Sequence, residues 1–205
     1  MFKSFFSHTR KPGQSLSGRI MLQMMNKGHQ KTSLWAISHI DFTDIHRILD
    51  IGCGGGRNIA NMLQFKPSAR IYGVDYSNAS VEGSKKYNQE AINAGRVHIQ
   101  EGNVMDLPFP SEDFDLATAF ETIYFWPDLF QSFQEVHRVL KDGGVFMIYN
   151  DMIDPVAGEK WTKIIDHMKI YTLYEIEDCL KASGFQDIQI IKAPKSYRGL
   201  LLANK

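Results

Sequence analysis

The stretch ILDIGCGGG (48–56) carries the strongest chemical signal in the chain: four glycines in the five positions 52–56, behind an apolar run interrupted by Asp50. A glycine turn leaving a buried strand brings a ligand against bare main chain at the carboxyl end of a sheet. Asp75 lies 19 residues beyond Gly56, at the end of the apolar stretch RIYGVD. A carboxylate there can accept two hydrogen bonds from ribose hydroxyls. Strand, glycine turn, helix, strand and acid together predict a nucleoside-binding site. The dinucleotide fingerprint G-x-G-x-x-G is not met, because its third glycine, counted from Gly52, falls on Arg57. The spacing is instead Asp50-x-Gly52-x-Gly54-x-Gly56.

Other residues with chemical capacity are scattered. His29, after Asn26-Lys27-Gly28, is a candidate base from the N-terminal region or a polar join between helices. Tyr124, Phe125 and Trp126 follow an apolar strand, where they could wall a substrate or pack beneath the next helix. Trp35 carries the same two alternatives. His8, His39, His46, His98, His137 and His167 show no metal-ligand spacing. Cys53 and Cys179 fit neither a zinc site nor a secreted disulfide framework; Cys53 reads as a small buried filler. No Gly-x-Ser-x-Gly and no His-Glu-x-x-His is present.

The elements that must position these groups alternate. RILDIG and RIYGVD read as buried strands separated by a helix over 58–64. A helix over 77–94 starts on Ser77 as N-cap, stops at Gly95, and has a weak apolar stripe that predicts exposure. RVHIQEG alternates and suits a strand near an edge. FDLATAFE is a fourth strand. Phe130, Phe133, Val136 and Leu140 mark one helix face, ended by Asp142-Gly143-Gly144, and VFMIYN is a fifth strand. Thr172 and Glu175 form a capping box for a helix closed by Gly184. FQDIQII and YRGLLLAN are antiparallel neighbours. The pattern predicts an α/β fold: a doubly wound, mostly parallel seven-stranded sheet, helices on both faces, last strand antiparallel. Residues 1–46 are expected to form an N-terminal helical cap and 47–205 the core domain.

Bulk properties set outer bounds. The 205 residues suit one domain with a full core. Twenty-three basic residues balance 23 acidic ones, which argues against a global field for nucleic acid or an anionic membrane. No apolar run approaches the ~20 residues of a bilayer span, and the start lacks a signal-peptide core. A cytoplasmic location without membrane insertion is the expectation.

The motifs resemble those of the class I S-adenosylmethionine-dependent methyltransferases. The Asp50–Gly56 spacing is similar to motif I of that family, and YGVDYS to its second motif. EGNVMDLPFPSEDFDLA is similar to the stretch written G-D-A-x-x-L-P-F…F-D, with Asn103 where aspartate is common. FETIYFWPDLFQSFQEVHRVLKDGGVF resembles the family's fourth strand, following helix and K-P-G-G turn, with Asp142 in place of proline. The segment MNKGH…LW resembles the cap of the type 11, ubiquinone/menaquinone-biosynthesis-like branch. The core resemblance spans about 48–150.

What the resemblance implies is specific for cofactor and silent on acceptor. Asp50 would lie near the methionyl end, and the backbone of Gly52, Cys53 and Gly54 would line that tail. Asp75 would hold the ribose, with Tyr76 beside the adenine, Asn103 accepting from its amine and Val104 next to it. Phe120 and Glu121 would meet the methionyl side and the acceptor pocket, itself built by the cap and 151–170. Trp161, Ile164, Ile165 and Met168 could give that segment a lid face or ordinary packing. Catalytic residues stay open between His29, Glu121 and Tyr124. Glu121, Asn150 and Asp151 depart from the catechol-type magnesium pattern, so no metal is expected. The implied function is in-line methyl transfer to a small-molecule acceptor, a reaction needing alignment more than acid–base machinery. Alternatives are an enzyme acting on RNA, DNA or protein, a nicotinamide oxidoreductase, and a non-catalytic binder of the same cofactor.

Overall fold

The computed structural model describes residues 30–205. The expectations for 1–29, including His29 and most of the cap, lie outside the described residues. In chain order the elements are α1 (Gln30–Ile37), β1 (Arg47–Ile51), α2 (Arg57–Phe65), β2 (Arg70–Asp75), α3 (Asn78–Tyr87), α4 (Gln89–Asn93) and β3 (Val97–Glu101). They continue with β4 (Phe114–Phe120), a 3-10 turn (Ile123–Phe125), α5 (Leu129–Val139), β5 (Leu140–Asn150), α6 (Glu159–Ile164), α7 (Leu173–Ala182), β6 (Gln186–Lys192) and β7 (Gly199–Asn204).

The seven strands form one sheet in the order β3-β2-β1-β4-β5-β7-β6. The first five are parallel; β7 runs antiparallel between β5 and β6. Successive crossovers lead outward from β1 to β2 and β3, then return past β1 to β4 and β5. The order therefore reverses between β1 and β4, and a ligand crevice opens beyond their carboxyl ends. β1 and β4 are apolar almost throughout because helices cover both faces. One face packs Leu49, Ala117, Phe146 and Ile148 under Phe133 and Val136 of α5 and Ile176 and Leu180 of α7. The other packs Ile48, Ile71 and Met147 under Ile37 of α1, Ile59 and Met62 of α2 and Val81 of α3.

Local structure departs from expectation at three places. The 77–94 helix breaks at Asn88, whose side-chain amide donates to the carbonyls of Gly56 and Ser84 at 3.0 Å each. That side chain ties α3 to the glycine loop; Ser80, Val81 and Ser84 form the narrow buried stripe of α3, and most of 77–94 is exposed or half-buried as expected. Asp142-Gly143-Gly144 does not end a helix. It is an irregularity inside β5, where the pairing with β4 shifts between Phe114 and Leu116. Phe130 is exposed; the buried face of α5 is Ser132, Phe133, Val136 and Val139. The Ser77 cap, the Thr172–Glu175 capping box and the left-handed Gly184 stop are all present.

Candidate functional site

The tips of β1, β2 and β4, with the turn after β3, enclose a cavity of about 360 Å³. The glycine loop forms its floor. The N–H groups of Gly52 and Cys53 donate to the Val74 carbonyl at 2.8 and 3.1 Å, and that of Gly56 donates to the Cys53 carbonyl at 2.9 Å. The Gly54 N–H donates to Oδ2 of Asp75 at 2.9 Å. These four amides are engaged inside the protein. A pyrophosphate needs such donors turned toward it, so the loop is built against a dinucleotide and suits a ligand that does not demand them.

The glycines have different reasons to be glycine. A Cβ on Gly52 would fall 2.2 Å from Oγ1 of Thr122, and one on Gly56 would meet Asn88 and Ser84 at 2.4 Å. Both are close approaches within the protein. Gly54 lines the cavity with φ +51°, and the nearest atom to its Cβ would be the Gly52 carbonyl oxygen at 4.0 Å. Only this one of the three offers space that a ligand could take.

Asp75, on the cavity wall, is buried, and its Oδ1 accepts from the Ser77 N–H at 2.9 Å. Burial raises its carboxyl above the ordinary value, against the lowering by the Ser77 and Gly54 amides and by the Ser80 side chain. With these three donors in place the carboxylate still keeps acceptor capacity for a ligand. Tyr76, Asn103, Val104 and Phe120 also reach the wall. Asn103 Oδ1 accepts from the Met105 N–H at 3.1 Å, shaping its own turn.

Asp50 and Cys53 do not reach the wall; their neighbours Ile51, Gly52 and Gly54 do. The Asp50 carboxyl, expected near the methionyl end, is 2% exposed and is not among the groups that line the cavity. Oδ1 accepts from Oγ1 of Thr118 at 2.8 Å, and Oδ2 is buried without a hydrogen-bond partner among the described residues. Desolvation pushes this carboxyl up to about 7, with the Thr118 bond opposing and the charge of Asp75 adding. Burial, then Asp75 and Asp50, pushes the Cys53 thiol well up, which fits an inert filler.

On the opposite wall stand Phe120, Glu121, Thr122, Phe125, Trp126 and Pro127. Glu121 holds a left-handed backbone, φ 58°, strain of a kind that collects at functional sites. Its carboxylate accepts from the Asp151 N–H. Asp151 in turn accepts from the Tyr149 hydroxyl and pairs with Nε of Arg198 at 3.0 Å. Tyr124 sits behind the wall. Its hydroxyl donates to the Met152 carbonyl at 3.1 Å and accepts from the Met152 N–H at 3.0 Å, while its carbonyl accepts from Lys169 N–H at 2.9 Å. Burial first, then Glu121, raises its phenol well above the ordinary value. This buried phenol ties down main chain, and Tyr124 is not among the residues that line the cavity. Of the described cap and 151–170, no residue lines the cavity; the latter segment braces the wall from behind.

Thr122 and Thr118 escaped the sequence argument. Thr122 fills the space that Gly52 leaves and accepts from the Trp126 indole N–H at 3.2 Å. Thr118 holds Asp50. A polar residue inside the buried strand FDLATAF, level with Asp50 in a parallel register, was the available signal for the second. Among the described residues no group of three His, Cys, Asp or Glu is arranged to hold a metal. No described helix is long and apolar enough to cross a membrane.

Comparison with known proteins agrees with this geometry. The family described as "Methyltransferase domain" matches residues 49–148. The uncharacterized methyltransferase YcgJ of Bacillus subtilis is 32% identical over 162 residues, covering 74% of this chain and 62% of that protein. Its crystal structure superposes with a TM-score of 0.68 over 79% of this chain and 71% of that one, at 29% identity. The rice 2-methyl-6-phytyl-1,4-hydroquinone methyltransferase 2 is 31% identical over 158 residues, covering 75% of this chain and 43% of that protein. An O-methyltransferase family protein from Burkholderia thailandensis shares the fold, with a TM-score of 0.83 at 15% identity, over 98% of this chain and 63% of that one. The chain spans 43–62% of the length of the first curated relatives it matches.

Proposed function

Because residues 49–148 belong to the class I S-adenosylmethionine-dependent methyltransferases of the type 11 branch, we propose that this chain transfers the methyl group of that cofactor to a small, largely apolar acceptor. The observation that carries the reading is the floor of the cavity. Its loop amides are turned inward, Gly54 leaves a cradle that a side chain would fill, and Asp75 stands at the rim with acceptor capacity left.

In this reading Asp75 grips the ribose, and Tyr76 and Val104 flank the adenine, with Asn103 on its edge. Gly52 and Gly54 support the amino-acid end. When bound, the cofactor supplies an electrophilic methyl on a cationic sulfur, with a neutral thioether as leaving group. The protein's own work is alignment and exclusion of water. Phe120, Phe125, Trp126, Pro127 and Met105 form the apolar side of the wall. The charged side chains on the described wall are Asp75 and Glu121, both acidic. That lining favours a neutral or cationic acceptor over a carboxylate or a phosphate. Glu121 is the described group best placed to receive a proton from a phenol, amine or other protonated nucleophile.

The test is a screen of methyl-donor consumption against phenols, quinols, amines and thiols. Turnover with at least one neutral acceptor, and none with RNA or protein fractions, is expected. Turnover confined to the macromolecular fractions would overturn the acceptor class. Tight cofactor binding with no turnover on any acceptor would favour a non-catalytic binder.

A further inference from the structure

The sheet order places β1 between β2 and β4. Asp75 ends β2, and Thr122 lies two residues past the end of β4. The two therefore stand on opposite sides of the glycine loop that follows β1, and both line the cavity. Neighbouring strands lie ~4.8 Å apart, so the two sides are separated by roughly 10 Å. On the cofactor reading above, a tail that leaves the ribose at Asp75 crosses Gly52 toward the β4 side.

What that side offers is set by the hydrogen bonds already made. A carboxylate accepts and needs donors. The N–H groups of Gly52, Cys53, Gly54 and Gly56 are engaged inside the protein. The Trp126 indole N–H donates to Oγ1 of Thr122 at 3.2 Å. The Ser80 hydroxyl serves Asp75, on the β2 side. Glu121 brings an acceptor when ionised. The Thr122 hydroxyl differs from all of these. Its oxygen takes the indole proton, and its own proton finds no acceptor among the described residues.

This hydroxyl is also held in place. Trp126 is only 7% exposed, packed against Phe133 and Phe146, so its N–H is a fixed point. The Thr122 side chain presses on Gly52, where a Cβ would fall 2.2 Å from Oγ1 and 2.8 Å from the threonine Cβ. Glycine at 52 thus lets the hydroxyl lie against the loop. A hydroxyl that accepts one hydrogen bond is polarised into a better donor for the next.

Resting on the cofactor reading, we propose that Thr122 is a cofactor-binding residue whose hydroxyl donates to the carboxylate of the S-adenosylmethionine tail. Trp126 is its positioning residue: the indole N–H occupies one lone pair of Oγ1 and leaves the threonine proton for the ligand. Methyl transfer does not alter the tail, so Thr122 grips substrate and product cofactor alike and takes no part in the bond-making step.

The experiment is calorimetric titration of the full chain with S-adenosylmethionine and with decarboxylated S-adenosylmethionine, which keeps the sulfonium and the ammonium and lacks only the carboxylate. The parent is compared with Thr122→Val and Thr122→Ser, and with Thr122→Ala should the valine variant not fold. Thr122→Val is expected to weaken S-adenosylmethionine about tenfold, as for one hydrogen bond to a charged group, and the decarboxylated analogue less than about twofold. Thr122→Ser keeps the hydroxyl and should stay within about threefold of the parent. Valine also strips the indole of its acceptor, so the melting temperature should fall. That fall acts on both ligands alike and does not imitate the difference between them. Equal weakening of both ligands, or of neither, overturns the proposal while leaving the cofactor reading intact. Where the analogue binds too weakly to titrate, the serine variant decides: parent-like affinity upholds the proposal and valine-like affinity overturns it. Absence of S-adenosylmethionine binding by the parent overturns the cofactor reading and this proposal with it.

Discussion

The amide of Gly54 donates to the carboxylate of Asp75 at 2.9 Å, joining residues 21 positions apart. This bond fastens the loop after β1 to the tip of β2. It makes the acid a builder of the cavity floor as well as a group facing the ligand, so substitutions at either residue act on both shape and affinity.

Asp75→Ala removes the ribose partner and the acceptor for two loop amides. Cofactor affinity is expected to fall by about 2–4 kcal/mol, given ~1.5–3 kcal/mol for each hydrogen bond to a charged group and partial compensation by water. The melting temperature should also drop, because Gly54 and Ser77 lose their acceptor. Calorimetry together with a thermal melt checks both; unchanged affinity would remove Asp75 from the site.

Gly54→Asn separates cradle from scaffold. Asparagine tolerates the left-handed backbone better than other side chains, so the melting temperature should stay within a few degrees. The side chain would stand in the cavity, and cofactor binding should be lost. Gly52→Ala and Gly56→Ala should instead destabilise the fold, since their Cβ atoms would lie 2.2 and 2.4 Å from side-chain atoms of Thr122 and of Asn88 and Ser84. A thermal melt of the three variants with a cofactor titration distinguishes them.

Asp50 predicts an unusual pH dependence of stability. Its folded carboxyl titrates at about 7, above its ordinary 3.8. The native state therefore binds the proton more tightly than the unfolded chain. That stabilisation is fully present below about pH 4 and is lost as pH rises to about 7. Asp115, Glu135 and Glu175 act in the opposite sense, because their carboxyls are lowered and their contribution fades in acid. Asp50→Asn should therefore gain stability relative to the parent between pH 5 and pH 8, by a few kcal/mol at most. Denaturant melts across that range check it, and a gain independent of pH would contradict the assignment.

Tyr124→Phe deletes both bonds to Met152 while keeping the ring. A loss of about 1–3 kcal/mol in stability is expected from the orphaned backbone groups. Hydrogen exchange should speed up at Met152. Cofactor affinity should be unchanged, because the phenol stands behind the wall. A large loss of turnover with any acceptor, together with a shifted pH profile at unchanged stability, would return Tyr124 to the chemistry.

Much of this was legible in the sequence, for physical reasons. Strands covered on both faces read as continuous apolar runs, and caps such as Thr172–Glu175 are local, so the sheet and its helices could be placed. Asp75, Tyr76, Asn103, Val104 and Phe120 reach the cavity because they sit at strand ends or just beyond them, which motif position fixes. What sequence could not tell was direction. Gly52, Gly54 and Gly56 look alike in a string, yet a Cβ would find open space only at Gly54, while at Gly52 and Gly56 it would meet Thr122 and the Ser84 and Asn88 side chains. Asp50 and Asp75 look like a matched pair, but only the second lines the cavity. The Asp142-Gly143-Gly144 turn read as a helix stop because glycine signals a break without saying which element breaks. Thr118 and Thr122 were silent because a threonine becomes functional only through a neighbour distant in sequence.

The most direct test of the central claim is a crystal structure of the chain with S-adenosylhomocysteine. The account predicts ribose hydroxyls within hydrogen-bond distance of Asp75, adenine between Tyr76 and Val104, and the amino-acid end over Gly52 and Gly54. A ligand bound elsewhere, or a cavity left without it at saturating concentration, would contradict the account.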